Sequence, residues 1–361
     1  AYPVEVVSEN DEFDNAYAVS IYKSPELELI RGVAGVPTRK SLRNSYVTGL
    51  PAALLAQGLG LGAGNWTLDA ACASSLYALH LACEELRAGR ADLMLAGGAS
   101  RPECLYTNLG FSQLTALSSR GVCSPFDERG DGLVVGEGAG IFVLKRLDDA
   151  VAQGDRIYGL IHGVGLSNDV GGSLLAPDSE GQQRAMRQAY ERAGWSPDCV
   201  DLVECHGTGT PKGDGVELRS LGSVFGSEAT GVVVGSVKSN VGHLLTGAGA
   251  AGFMKVLLAL EHRTLPPSAN WNKETAHPEL LAGPFRVLDA PQNWASDTPR
   301  RAAVSGFGFG GINAHLLVEE WSEQEHEVES SLPLVEPPEP LAIVGMGAHY
   351  AGLCSLADFA R

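Results

Sequence analysis

Four short stretches of the chain carry side chains whose types and spacing suit covalent chemistry. The first is Leu68-Asp69-Ala70-Ala71-Cys72-Ala73-Ser74-Ser75. A strand is expected over residues 66–70, then a turn of small residues. A helix should follow from Ser74, with Leu76, Leu79, Leu81 and Leu86 on its apolar pattern. Cys72 would then sit where a strand meets a helix N-terminus. Free N–H groups and the helix dipole at such a place favour the thiolate, the nucleophilic form of the side chain. The small neighbours leave room for a substrate. The competing reading is a structural cysteine buried at a tight turn.

The second stretch is Glu204-Cys205-His206-Gly207-Thr208-Gly209-Thr210-Pro211, in which an apolar run ends in an imidazole beside hydroxyls. Here the competing reading is a structural histidine. Cys205 should point to the opposite strand face from His206, which disfavours a Cys–His metal pair. The third is Ser236-Val237-Lys238-Ser239-Asn240-Val241-Gly242-His243, where Lys238 and His243 flank a tight turn. The fourth is Ser305-Gly306-Phe307-Gly308-Phe309-Gly310-Gly311-Ile312-Asn313, a glycine run that can bring backbone N–H groups close to a ligand. Asp214 and Glu217 follow the second stretch. They either pair with buried cations or are the acidic first turn of an ordinary helix. Two further glycine clusters carry less: residues 58–62 read as a surface connection and 136–140 as the approach to a buried strand.

These residues need a frame. Buried strands are expected over residues 93–97, 140–144, 202–205, 231–234 and 303–305, and helices over 74–88, 180–193, 215–225, 247–262 and 43–57. Strands alternating with helices and bounded by glycine predict an α/β layered fold. Near the end, residues 322–340 are rich in Glu, Ser and Pro and read as a tether. Residues 341–361 read as a strand, a glycine turn and the start of a helix, the opening of another domain.

Composition narrows the function classes. The 361 residues hold 26 Lys and Arg against 43 Asp and Glu, a formal net charge of −17, which repels nucleic-acid backbones. Seven cysteines, an odd number with no CxxC pair, argue for a reducing compartment rather than a disulfide framework or zinc ribbon. The most apolar stretch, residues 247–260, is too short to span a bilayer and carries Lys255. The expected location is the cytoplasm, with no membrane and no nucleic acid as partner.

The nucleophile turn, then HGTGT from His206, then KSNVGH from Lys238, then GFGFGGINAH from Gly306, in that order, resemble the β-ketoacyl synthase family of the thiolase superfamily. Asp127, Asp131-Gly132 and Gly136-Glu137-Gly138 fit the same pattern. The resemblance covers residues 4 to 320. The form of the motifs is similar to polyketide and polyunsaturated fatty acid synthases, closer to the latter. The resemblance implies the thiolase fold, a five-layer α-β-α-β-α sandwich of two similar halves. It places residues 1–321 in a ketosynthase domain and 341–361 in a second ketosynthase-like, chain-length-factor-like domain.

It also implies roles. Cys72 would accept an acyl group from an acyl carrier protein, with the backbone N–H groups of Cys72 and Phe309 as oxyanion hole. His206 and His243 would hold the enolate formed when a malonyl-type extender loses CO2, and Lys238 would orient His243 electrostatically. Thr208 and Thr210 match positions that hydrogen-bond the phosphopantetheine arm, and Phe309 matches a gate between the two half-reactions. No metal or bound cofactor is required. The partners implied are acyl carrier protein, neighbouring synthase domains and a second copy, paired through residues 66–70.

Two features depart from the family's pattern. Ala70 and Ala73 stand where many polyketide synthases have Thr and Ser, and neither change removes a catalytic atom. Cys72 also arrives about a hundred residues early, so an N-terminally truncated ketosynthase is expected. A Cys–His–Asn hydrolase or transferase would explain only part of the pattern. A non-condensing ketosynthase-like gating or scaffold domain is the alternative that shares the fold.

Overall fold

The computed structural model describes residues 50–101, 105–171, 177–226 and 231–322, together with Ala342 and Val344. The chain divides into two units, Ala1–His326 and Glu327–Arg361, and every element named below belongs to the first. The tether and second-domain expectations over 322–340 and 341–361 lie outside the described residues but for Ser322, Ala342 and Val344.

Helices α1 (Leu50–Leu59) and α2 (Ser74–Arg87) are followed by β1 (Met94–Ser100), α3 (Leu105–Gln113), β2 (Gly138–Leu144), α4 (Leu147–Gln153) and β3 (Leu160–Asn168). Next come α5 (Ser179–Ala193), β4 (Leu202–Glu204), α6 (Pro211–Phe225), β5 (Val232–Gly235), α7 (Lys238–Val241) and α8 (Ala248–Glu261). The short β6 (Thr264–Leu265), α9 (Pro278–Ala282), β7 (Phe285–Arg286) and β8 (Gln292–Asn293) lead to the long pair β9 (Arg301–Gly308) and β10 (Ile312–Glu319).

Six strands form one mixed sheet in the order β3-β10-β9-β4-β5-β7. The β3, β10 and β9 strands are antiparallel, and β9, β4, β5 and β7 run parallel. Strand alternation splits the core. Leu202, Val304 and Leu316 face one side with Leu76 and Leu79 of α2 and Phe253 and Val256 of α8. Their neighbours Val203, Ala303 and Leu317 face the other with Met186 of α5 and Leu218, Leu221 and Phe225 of α6. The α2 and α8 helices also pack on the antiparallel β1–β2 pair. The described residues therefore form four successive layers: strand pair, helices, six-stranded sheet, helices.

Most expected elements form close to their predicted bounds, because their apolar periodicity is what buries them; of the helix expected over 43–57, residues 43–49 lie outside the described residues and α1 runs on to Leu59. Helix α6 begins four residues earlier than expected, with Pro211 in its first turn, a position that suits proline's fixed φ and missing N–H. Residues 66–70 are a correction. They form no strand among the described residues, only an isolated bridge between Ala70 and Cys72, because no neighbouring strand takes their ladder hydrogen bonds. Two long strands were not expected, β3 and β10, where glycines and polar residues interrupt the alternation, nor were the two-residue strands β6, β7 and β8. The fourth motif, read as a ligand-approaching glycine loop, is largely a hairpin of β9 and β10. No helix among the described residues is long and apolar enough to cross a membrane.

Candidate active site

The nucleophile turn is held from within. Asp69 Oδ1 accepts from the Ala71 N–H at 2.8 Å, and Ser74 Oγ accepts from the Ala70 N–H at 2.9 Å while donating to the Ala71 carbonyl at 2.6 Å. Ala71 adopts a left-handed φ of 48°, an uncommon conformation for a residue with a Cβ. The turn leads through Cys72 and Ala73 into α2. Strand β9 passes directly beside it. A Cβ on Gly308 would lie 2.9 Å from the Ala71 Cβ and 3.1 Å from the Cys72 nitrogen, so this glycine permits the approach that brings the Phe309 N–H to the Cys72 sulfur.

Two loops at the ends of parallel strands supply the imidazoles. His206 follows β4 and His243 follows α7. The Cys72 Sγ lies 3.1 Å from His243 Nε2. Ligating atoms of Cys72, His206 and His243 all fall within 4.8 Å of one another, and the two imidazole centroids are 5.4 Å apart. The sequence-predicted trio is thus brought together from positions 72, 206 and 243. Cys205, by contrast, is buried on the opposite side in the core with Phe126 and Leu218.

The His206 loop is pinned by two buried carboxylates. Glu217 accepts from the N–H groups of His206 at 2.7 Å and Gly207 at 2.8 Å. Asp214 accepts from Thr208 at 3.1 Å, Gly209 at 3.2 Å and Phe126 at 2.9 Å. The sequence left these acids between cation pairing and an ordinary helix start. Asp214 does stand in the first turn of α6, and both acids spend their hydrogen bonds on backbone donors, four in the motif and one at Phe126. Glu204 was not foreseen as a site residue. It accepts from the Val237 N–H at 2.6 Å and pairs with Lys255 at 2.6 Å, tying the end of β4 to the start of α7.

Main-chain pairing fixes His243. Its N–H donates to Val134 at 2.6 Å, and its carbonyl accepts from Gly136 at 2.9 Å. The Leu245 N–H donates to His243 Nδ1 at 3.1 Å. Nδ1 is therefore an acceptor, and in the neutral ring the proton sits on Nε2, pointed at the sulfur. His206 Nδ1 is buried without a hydrogen-bond partner among the described residues.

Burial dominates the electrostatics. It pushes the Cys72 thiol up to about 11, against the opposing pull of Lys238 and of the Phe309 and Cys72 N–H groups. Burial thus opposes, at this sulfur, the thiolate-favouring pull expected of the helix N-terminus. The local donors act in the expected direction, but burial depends on residues distant in sequence. Both His206 and His243 are held well below the ordinary histidine range, first by burial and then by Lys238, so both are neutral near pH 7. Lys238 is itself buried. Burial raises Asp214 to about 6 and Glu217 to about 7 against their backbone donors and Lys238.

Cys72 and the two histidines form a group that could meet around a metal ion. Their surroundings do not suit one. A metal-bound histidine donates its other N–H to an acceptor. Here His243 Nδ1 faces a donor, and His206 Nδ1 faces no acceptor among the described residues. The arrangement suits two Nε2–H groups converging on one negative oxygen.

A cavity of about 200 Å³ opens on this centre and is lined also by Thr208, Thr210, Phe307 and Phe309. The Thr208 and Thr210 hydroxyls are 2.9 Å apart. The Phe309 ring, partly exposed, packs on Phe111 with centroids 5.8 Å apart. Opposite, Asn313 Nδ2 donates to Asp169 Oδ1 at 2.8 Å, bracing the hairpin turn against the end of β3. A larger cavity of about 720 Å³ lies along α8 and β2 and contains none of the trio.

Residues 13–150 match the β-ketoacyl synthase N-terminal domain family, and residues 158–272 its C-terminal domain. A phenolphthiocerol/phthiocerol polyketide synthase from Mycobacterium tuberculosis is 45% identical over 71% of this chain. A polyunsaturated fatty acid synthase from Thraustochytrium is 38% identical over 86% of it. The chain spans only 14% and 16% of these two relatives. Among solved structures, the ketosynthase from module 6 of the bacillaene synthase of Bacillus subtilis superposes with a TM-score of 0.74 at 38% identity, over 77% of this chain and 52% of that one. The PfaC keto synthase–chain length factor protein gives 0.79 at 44% identity, over 90% and 35%. The fold is the thiolase fold, and the chain belongs to the β-ketoacyl synthase family.

Proposed function

We propose that this chain is a condensing ketosynthase that works on carrier-bound thioesters. The observation that carries the reading is the convergence of Cys72, His206 and His243, with the Nε2–H of His243 fixed by its neighbour's backbone. In the first half-reaction the Cys72 sulfur attacks an acyl thioester, and its proton leaves with the departing carrier thiol. The N–H groups of Cys72 and Phe309 serve as the oxyanion hole, which their action on the sulfur supports. In the second, a malonyl-type thioester loses CO2. Its carbonyl oxygen becomes the enolate oxygen held by the two histidines, and its carbanion attacks the Cys72 thioester. The products are CO2, a β-ketoacyl thioester on the carrier and the free Cys72 thiolate, which regains a proton.

Lys238 acts as a positioning charge. It favours the Cys72 thiolate and disfavours imidazolium at both histidines. Thr208 and Thr210 bind the phosphopantetheine arm, and the Phe309 ring gates the cavity. The pathway is of the polyunsaturated fatty acid type, supported by the 44% identity maintained over 90% of the chain with a keto synthase–chain length factor protein. No metal or resident cofactor takes part. The partners are an acyl carrier protein, neighbouring synthase domains and a second copy meeting the face at residues 66–70, where Trp66 is exposed. The cytoplasm suits the free cysteines among the described residues.

Intact-protein mass spectrometry tests the reading. Incubation with acyl carrier protein bearing an acyl group should add that acyl mass, and Cys72→Ala should prevent it. Adding malonyl carrier protein should then return the free enzyme and a β-ketoacyl carrier. Acylation without condensation would instead establish a gating domain.

A further inference from the structure

We propose that Lys212 is the phosphate-binding residue of this site, taking the phosphodiester at the outer end of the substrate's pantetheine arm. This rests on the ketosynthase reading above. His206, Thr208, Thr210 and Lys212 line one cavity, while the intervening Gly207, Gly209 and Pro211 do not. Along this track Thr208 is buried, Thr210 is half-buried and Lys212 is exposed. The chain therefore runs from the reacting sulfur to the cavity mouth. Six residues reach at most about 20 Å. The track presents an imidazole, then two hydroxyls, then an ammonium. A pantetheine thioester presents a carbonyl, then amides, then a phosphate, in the same order.

Charge supports the assignment. Lys212 is the one Lys or Arg lining the cavity, and it makes no ion pair among the described residues. The carboxylates lining the cavity are already engaged. Asp214 and Glu217 accept backbone N–H groups, and Asp169 accepts from Asn313 and from the Asp178 N–H. On a chain of net charge −17, an anionic arm approaches an unfavourable field, and an unpaired ammonium at the mouth offsets it locally. Lysine binds phosphate as a point charge, without the fixed fork of arginine.

The test compares acylation of Cys72 by two thioesters of the same acyl group, one on phosphopantetheine and one on pantetheine lacking the phosphate. Intact mass gives the rate. The wild-type protein should prefer the phosphorylated donor in kcat/KM by about 3–10-fold at low salt, a preference that fades as salt is added. In Lys212→Ala and Lys212→Gln the ratio should fall to about 1, and Lys212→Arg should keep it. The ratio is internal to each variant, so a partly misfolded sample does not alter it. A ratio that persists in both neutral variants, or a wild-type ratio of 1, overturns the assignment of Lys212 and leaves the ketosynthase reading standing. A wild-type protein acylated by neither donor overturns both.

Discussion

The two histidines reach one sulfur by different means. The His206 loop hangs from carboxylates: Glu217 and Asp214 between them accept the N–H groups of residues 206 through 209. The His243 loop hangs from main chain, paired with Val134 and Gly136, and its ring is oriented by the Leu245 N–H. Side-chain anchors on one loop and backbone anchors on the other produce imidazoles 5.4 Å apart. The difference shows where each loop is vulnerable. At the histidine itself, one depends on ionisable groups held in the core, and the other on close backbone approach.

The largest expected effect removes the imidazoles themselves. His206→Ala and His243→Ala should each lower malonyl decarboxylation by about 10²–10³-fold while Cys72 is still acylated, as for loss of one oxyanion donor. Only His243→Ala should also change the pH dependence of Cys72 alkylation, because only His243 contacts the sulfur directly. Equal shifts in both variants would erase the distinction between the loops.

Anchors come next. Glu217→Gln turns one acceptor into a donor facing a backbone N–H, at a cost of about 1–3 kcal/mol. On the other loop, a Cβ on Gly136 would lie 2.2 Å from the Val241 carbonyl oxygen. Gly136→Ala should therefore cost a similar ~1–3 kcal/mol through forced backbone movement. Urea titration of both variants measures these costs. A neutral result for either would show that loop to be held elsewhere.

The smallest effect is in pH. In the fold, burial holds Glu217 at about 7, above an unfolded value near ~4.3. Between those values the folded chain keeps a proton that the unfolded chain has released. The stabilisation is full below about pH 4 and is lost as pH rises through about 7. Glu217→Gln lacks this titration, so the wild-type advantage in Tm should shrink between about pH 5 and 7.5. A constant gap would mean that Glu217 is ionised throughout.

How much of this was legible follows from the kind of signal. Helices α2, α5 and α8 announce themselves by apolar spacing, and the motif residues by type and order. The β3 and β10 strands did not, because Gly163, Gly165, Asn313 and His315 break the pattern where a neighbouring backbone or a buried hydrogen bond sets the residue. The pull of local donors on Cys72 is legible in its turn, while the opposing burial by residues far along the chain is not. Glu204 and Lys255 were passed over because their pairing joins positions 51 residues apart.

That pairing has a mechanical consequence. Glu204 stands two residues before His206 on β4, and its carboxylate also grips the Val237 N–H at the root of the Lys238 segment. Strand β4 and the α7 root thus share a single yoke, and Lys255 leashes the yoke to α8. A displacement of α8 is then passed by one carboxylate to β4 and to the α7 root alike.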